Sequence, residues 1–375
     1  MRFAAALAVT GLVALGLPIA ASAAPPQCAN PSGTYAGPVS WGQKLIDPPR
    51  LWPLTRGEGQ LVAVIGTGVD GRNAQFAPGQ VLGGATSDCD GRGTIAAGIV
   101  AAQPDPSTTF TGIAPGVRIL PIAYNGDPGE LAAAVDTAVQ RDAGVMLIAV
   151  PAAFDSPALS AAVLHARDRG AVVVSPAAAT QQGARTYPTA TSGVLAVGST
   201  NQAGEPAQTE SGDYVGISAP GADLVSTSAG AGGSVGHRWP VTDPGLAAAS
   251  VAGVAALVRA YHPGLTGDQV VTRLTLTAHR PATGAHDPRR GWGVIDAYAA
   301  LASTLPPDAA APGSVPSASA PRPVIPAAAP PHPASDTAAG TIALAGVALA
   351  VAAGVTVAAI RRARRRNWRP SRFTP

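Results

Sequence analysis

Short runs of nearly continuous aliphatic residues, interleaved with stretches of helical periodicity, restrict the fold of this chain more than any other feature. The runs are Leu61 to Ile65, Val117 to Ala123, Val145 to Val150, Ala171 to Val174 and Val194 to Val197. Apolar residues recur at helical spacing at about 92–102, 129–141, 157–169, 246–260 and 267–278. A strand with one solvated face alternates apolar and polar residues, whereas a strand of Val, Ile, Leu and Ala throughout is covered on both faces. Such strands alternating with helices predict an α/β domain over residues 58–302, with a mostly parallel sheet between helices.

The two ends do not belong to that domain. Residues 1–23 begin with Arg2, continue as an apolar run from Phe3 to Leu17 and finish in Ala21-Ser22-Ala23, the pattern of a secretory signal peptide. Residues 338–360 carry no charge, and a helix of that length reaches about 35 Å, enough to span a bilayer core. Seven arginines between Arg361 and Arg372 follow directly, so residues 361–375 are expected as a cytoplasmic tail and the domain as extracytoplasmic, on a single-pass anchor. Between domain and span, residues 303–337 are dominated by Pro, Ala and Ser, a composition that stays extended because it has little to bury. Residues 24–57 are left as an N-terminal arm.

This organisation changes what the formal charge of +3 means, because without the tail arginines and Arg2 the rest of the chain is net acidic. Nucleic acid is therefore not an expected partner, and the basic tail suits anionic membrane lipid. No metal-ligand spacing, phosphate loop or dinucleotide fingerprint occurs, so no cofactor is expected. The two cysteines, Cys28 in the arm and Cys89 in the domain, face an oxidising compartment, where a disulfide is the simplest reading and two buried free thiols the alternative.

Three segments carry a resemblance. LVAVIGTGVD at 61–70, DGRGTIAAGIVAA at 90–102 and GVAALVRAYHP at 253–263 follow one another as do the strand-end and helix-start motifs of the subtilisin-like (S8) serine proteases. The arm DPPRLWPLTRGEGQLVAVI, LTGDQVVTRLTLTAH at 265–279, GWGVIDAYAAL at 291–301, the stalk and the single span are similar to the mycosins, membrane-anchored subtilisins associated with type VII secretion in actinobacteria. The resemblance implies a three-layer subtilisin-like fold with one C-terminal transmembrane helix. As partners it implies proteins of a type VII secretion membrane complex, and it leaves a homo-oligomer open.

The same alignment implies that the machinery of acyl transfer is gone. The family aspartate falls on Gly66, which has no side chain with which to orient a base. Its histidine falls on Arg92, which stays protonated and cannot accept a proton. Its Gly-Thr-Ser falls on Asp243-Pro244-Gly245, which puts the nucleophile position at Gly245; a shifted register puts it at Ala247. The oxyanion asparagine falls on Ala179, and loss of one such donor usually costs about 100- to 1000-fold in rate. Pro151 removes a backbone donor from the substrate-binding segment, and Pro244 is expected to distort the turn before the nucleophile.

The expected function is therefore that of a pseudoprotease with a structural, stabilising role in a type VII secretion complex. Two alternatives stay open. One is an active endopeptidase using displaced residues, for which His237, Asp243 and Ser250 are the candidates. The other is an extracytoplasmic peptide-binding module.

Overall fold

The aliphatic runs form the middle of one sheet. The computed structural model describes residues 28–83, 87–178, 184–281, 283–306, 309 and 361–362. The chain divides into two units, residues 1–316 and 317–375, and in the second only Arg361 and Arg362 are described, as exposed helical residues. The expected signal peptide, the membrane span, and all of the linker and tail except 303–306, 309 and 361–362 lie outside the described residues.

In chain order the helices are α1 (Trp41–Ile46), α2 (Pro48–Leu51), α3 (Arg92–Ala101), α4 (Pro128–Gln140), α5 (Pro157–Asp168), α6 (Pro244–Tyr261), α7 (Gly267–Leu276) and α8 (Ala297–Ala302). The strands are β1 (Leu61–Gly66), β2 (Arg118–Ala123), β3 (Val145–Ile148), β4 (Val172–Pro176), β5 (Leu195–Thr200), β6 (Val215–Pro220), β7 (Leu224–Thr227) and β8 (His237–Val241). The first six build one sheet in the order β2-β1-β3-β4-β5-β6, parallel at every pairing. β7 and β8 form a separate antiparallel pair.

Strand periodicity deals the residues of β1 into two cores. Val62 and Val64 face one side with Leu147, Val172 and Val174, under α3 and α6. Leu61, Ala63 and Ile65 face the other with Met146, Ile148 and Val173, under α4 and α5. The central helix α6 buries every residue from Pro244 to Val258, and each large aliphatic side chain among them contributes about 1.5–3 kcal/mol. Among the described residues α6 alone is long and apolar enough to cross a membrane, and this burial marks it as the core helix.

Three expectations are corrected. The run Val145 to Val150 stops being strand at Ile148, because Ala152 turns away to pair with Tyr187. The helix expected from 246 begins at Pro244, capped by the side chain of Asp243. Pro244 distorts nothing there: it sits in the first turn, where its missing N–H leaves no bond unmade.

The arm is tied down by covalent and polar links. Cys28 and Cys89 form a disulfide across 61 residues, worth about 4 kcal/mol in the chain-entropy model. Ala29 N–H donates to the Cys89 carbonyl at 2.7 Å, and Ser32 and Gly33 pair with His237 on β8.

Candidate functional site

A set of polar bonds fixes the start of α3 against the exit of β1. The Asp88 carboxylate accepts from the amides of Gly91 and Thr94, both at 2.8 Å, and from Thr94 Oγ1 at 2.6 Å, satisfying donors at the start of α3. Thr94 Oγ1 in turn accepts from Asp70 N–H at 2.8 Å, and Thr67 Oγ1 from Gly93 N–H at 3.0 Å. These bonds lock the exit of β1 against the start of α3. The approach is so close that a Cβ on Gly93 would lie 1.8 Å from the Gly68 carbonyl oxygen, so only glycine fits.

Within this frame Gly66, Arg92 and Gly245 converge, although they come from β1, α3 and α6. Gly66 and Gly245 both abut Ala149, just past the end of β3. A Cβ on Gly66 would stand 3.2 Å from the Ala149 Cβ, and one on Gly245 would stand 2.7 Å from the Ala149 carbonyl oxygen. The second distance is shorter than carbon and oxygen tolerate, so the backbone occupies the space a side chain at 245 would need.

Arg92, the first residue of α3, places a positive charge where the helix dipole disfavours one. Two carboxylates answer it: Arg92 Nε lies 3.5 Å from Asp90 Oδ1 and 3.4 Å from Asp243 Oδ2. Asp243 also accepts from Gly245 N–H at 2.7 Å through Oδ1. One carboxylate thus caps α6 and bridges to the start of α3. Burial pushes the Asp243 carboxyl above the ordinary aspartate range, opposed by the Gly245 amide and by Arg92.

The segment that would hold an extended peptide is internally committed. The Val150 carbonyl accepts from the Tyr124 hydroxyl, whose own ionisation burial pushes up. Pro151 has no N–H, and Ala152 exchanges both backbone bonds with Tyr187, at 2.7 and 2.9 Å. Ala179 lies outside the described residues.

The displaced candidates do not assemble. His237 is fully buried; its Nδ1 accepts from Tyr35 N–H at 3.0 Å, and its Nε2 lies 2.6 Å from Gln75 Oε1, which only an Nε2–H can satisfy. Burial pulls its pKa down to about 4, against a small opposing pull from Asp105. Ser250 is buried inside α6 and donates to the Leu246 carbonyl at 3.0 Å. Asp243, the third candidate, is taken up by Gly245 and Arg92.

One buried acid escaped sequence reasoning. Glu210 accepts from Thr186 N–H at 2.9 Å and Thr186 Oγ1 at 3.1 Å, and burial lifts its pKa to about 7. Thr186 continues through Thr189 to Ser175 on β4. A single Glu in a polar turn carries no periodicity, so no local signal marks it. Among the described residues no cluster of three or more His, Cys, Asp or Glu is placed to hold a metal.

A profile of the Subtilase family matches residues 57–293. Mycosin-4 of Mycobacterium tuberculosis is 37% identical over 340 residues, covering 76% of this chain and 74% of that protein. The crystal structure of MycP1 from Mycobacterium smegmatis superimposes with a TM-score of 0.64 at 30% identity, over 75% of this chain and 89% of that one. A chain in the structure of an intact ESX-5 inner membrane complex also gives 0.64, at 28% identity, over 90% of this chain and 94% of that one.

Proposed function

The chain belongs to the Subtilase family and, within it, to the mycosins, and from that premise we propose that it is a pseudoprotease, a structural part of a type VII secretion membrane complex. Gly66, Arg92, Gly245 and Ala179 are then the former aspartate, histidine, serine and oxyanion asparagine positions. The observation that carries this reading is the Arg92–Asp243 bridge beside a Gly245 whose side-chain space the Ala149 carbonyl fills. A proton acceptor, an orienting carboxylate and a hydroxyl are all missing where attack on a carbonyl requires them.

The Asp88–Thr94–Asp70 frame is fully hydrogen-bonded around the positions that lack catalytic side chains, which supports a role for the fold itself. The committed backbone of Val150 to Ala152 disfavours the peptide-binding alternative, since an extended ligand needs free strand-edge groups. The likeness to chains of the ESX-5 inner membrane complex and of its periplasmic assembly supports the choice of partner and an extracytoplasmic domain, and the uncharged run 338–360 followed by arginines is what supports a single-pass anchor.

The test uses native membranes. Crosslinking followed by mass spectrometry is expected to join this chain to integral components of a secretion complex, and its deletion to lower the amount of intact complex on native gels. Protease added to intact spheroplasts is expected to remove the domain and spare the tail. A full yield of complex without the chain, together with crosslinks only to unrelated proteins, refutes the structural role.

A further inference from the structure

Three residues with a carboxyl or carboxamide on Cβ precede a glycine in this chain, Asp70, Asp90 and Asn125, and the structure treats them differently. The pairing matters because the amide nitrogen of the following residue can attack the side-chain carbonyl carbon and close a succinimide, and glycine offers the least hindered nitrogen. At the first two that nitrogen is engaged: Gly71 N–H donates to the Val69 carbonyl at 3.1 Å and Gly91 N–H to Asp88 Oδ1 at 2.8 Å. Gly126 N–H has no hydrogen-bond partner among the described residues. Asn125, Gly126 and Asp127 are all exposed, Gly126 has a φ of 98°, and a Cβ there would meet nothing within 4 Å. Neither packing nor a bond holds that nitrogen back.

The Asn125 side chain, by contrast, is fixed. Its Oδ1 accepts from Asp127 N–H at 3.1 Å, closing a ring of which the Gly126 nitrogen is a member. Its Nδ2 donates to Glu130 Oε1 at 2.9 Å, and its backbone N–H to Glu130 Oε2 at 3.2 Å. An N–H aimed at the side-chain carbonyl oxygen draws charge from the carbon and stabilises the oxyanion that forms on attack. Holding the side chain in one arrangement removes freedom that a flexible peptide has to lose first.

We propose that Asn125 is a self-deamidation site. The Gly126 nitrogen gives its proton to water and bonds to Asn125 Cγ, the Cγ–Nδ2 bond breaks, and ammonia leaves with a proton returned by water. A second water opens the succinimide, chiefly to isoaspartate and otherwise to aspartate, so that the net change consumes one water and releases one ammonia. The position gives this change a structural effect. Tyr124, the preceding residue, donates its N–H to the Gly66 carbonyl at 2.9 Å and its hydroxyl to the Val150 carbonyl, which makes it a wall of the former catalytic site. On the other side Asp127 Oδ1 caps α4, accepting from Gly129 and Glu130 N–H at 2.8 and 3.0 Å. Isoaspartate lengthens the main chain between these two anchors by one carbon, and a carboxylate faces Glu130 where an amide donated before. The clamp on the start of α4 is released. The conversion runs one way and distinguishes old chains from new ones, whether or not the former active site hydrolyses anything.

The test incubates the purified full chain in detergent at neutral pH, digests it at intervals and follows each asparagine by mass spectrometry, with isoaspartate identified by isoaspartyl methylation. Asn125 is expected to convert at least tenfold faster than Asn73 or Asn201, and at least as fast as in a free peptide of residues 119–131. Gly126→Ala, whose Cβ has room in the loop and shields the nitrogen, is expected to slow the conversion at least tenfold. In the converted fraction, amide hydrogen exchange over residues 125–131 is expected to rise at least tenfold. Slower conversion in the folded chain than in the free peptide, equal conversion at the three asparagines, or an undiminished rate in Gly126→Ala overturns the proposal. Unchanged exchange over 125–131 overturns the release of α4.

Discussion

Restoring the serine position is the change whose outcome the geometry decides most sharply. In Gly245→Ser the new Cβ would stand 2.7 Å from the Ala149 carbonyl oxygen and 3.0 Å from Asp243 Oδ1. Helix propensity alone favours the exchange by about 0.5 kcal/mol, since glycine is the poorer helix former. Overpacking against a backbone atom opposes it by about 1–3 kcal/mol, because Ala149 is anchored to the sheet through its N–H to the Ile65 carbonyl at 2.8 Å. The second effect wins, and a net loss of roughly 1–2 kcal/mol lowers Tm by about 2–8 °C for a domain of this size. Thermal unfolding followed by circular dichroism reads the shift. Gly66→Ala is the comparison, since the nearest atom to its Cβ is the Ala149 Cβ at 3.2 Å and its loss should be smaller. The combined revertant Gly66→Asp, Arg92→His, Ala179→Asn and Gly245→Ser is expected to fold less stably and still cleave no peptide. A Gly245→Ser protein at least as stable as the wild type, or a revertant that turns over substrate, refutes the reasoning.

Three further outcomes are expected. Cys28→Ser with Cys89→Ser should cost up to about 4 kcal/mol in denaturant unfolding, and an unchanged midpoint would show that the 61-residue loop is already ordered when unfolded. The pH dependence combines two opposite contributions. The unfolded state binds the His237 proton near pH 6.5 and the folded state near 4, so stability falls by up to about 3 kcal/mol as pH drops across that window. Glu210 holds its proton in the folded state up to about pH 7, so its contribution falls as pH rises from about 4.5, by a similar amount. Wild-type stability should therefore be nearly flat between pH 4.5 and 6.5, while Glu210→Gln gains on it as pH rises; a variant that tracks the wild type throughout contradicts the assignment. Asp243→Asn keeps a capping oxygen and removes a partly buried charge, so it should be nearly neutral, whereas Asp243→Ala should lose about 1 kcal/mol of helix capping. Equal losses in the two would mean that the charge toward Arg92 matters more than the cap.

Much of the fold was legible in local pattern. β1 to β5 and α3 to α7 appear where aliphatic runs and helical spacing placed them, because strands buried on both faces leave an unmistakable composition. β6, reading Val-Gly-Ile-Ser-Ala-Pro, is too rich in small and polar residues to stand out. β8, reading His-Arg-Trp-Pro-Val, is a strand only because β7 and the arm pair with it. The Asp-Pro start of α6 was readable as a cap, and the expectation of a distorted turn there followed from weighing the proline against the serine motif it replaced and not against the helix it begins.

Resemblance to the family motifs singled out Gly66, Arg92 and Gly245 as the positions of one triad. It did not disclose that Arg92 reaches Asp243, or that the Ala149 carbonyl closes on Gly245, because both depend on how β3 leaves the sheet. His237 entered as a candidate base and is a buried neutral link between arm and core; burial, which sets its pKa, is a property of the whole fold.

The central claim is that hydrolytic chemistry is absent from an intact frame. Its most direct test is labelling of the purified full chain with a fluorophosphonate probe, beside a mycosin that carries the full Asp, His and Ser set as positive control. The account predicts no labelling of this chain under conditions that label the control to completion, with cooperative unfolding demonstrating that the same sample is folded. Stoichiometric labelling that is abolished by Ser250→Ala or His237→Ala would show instead that the active site has been relocated.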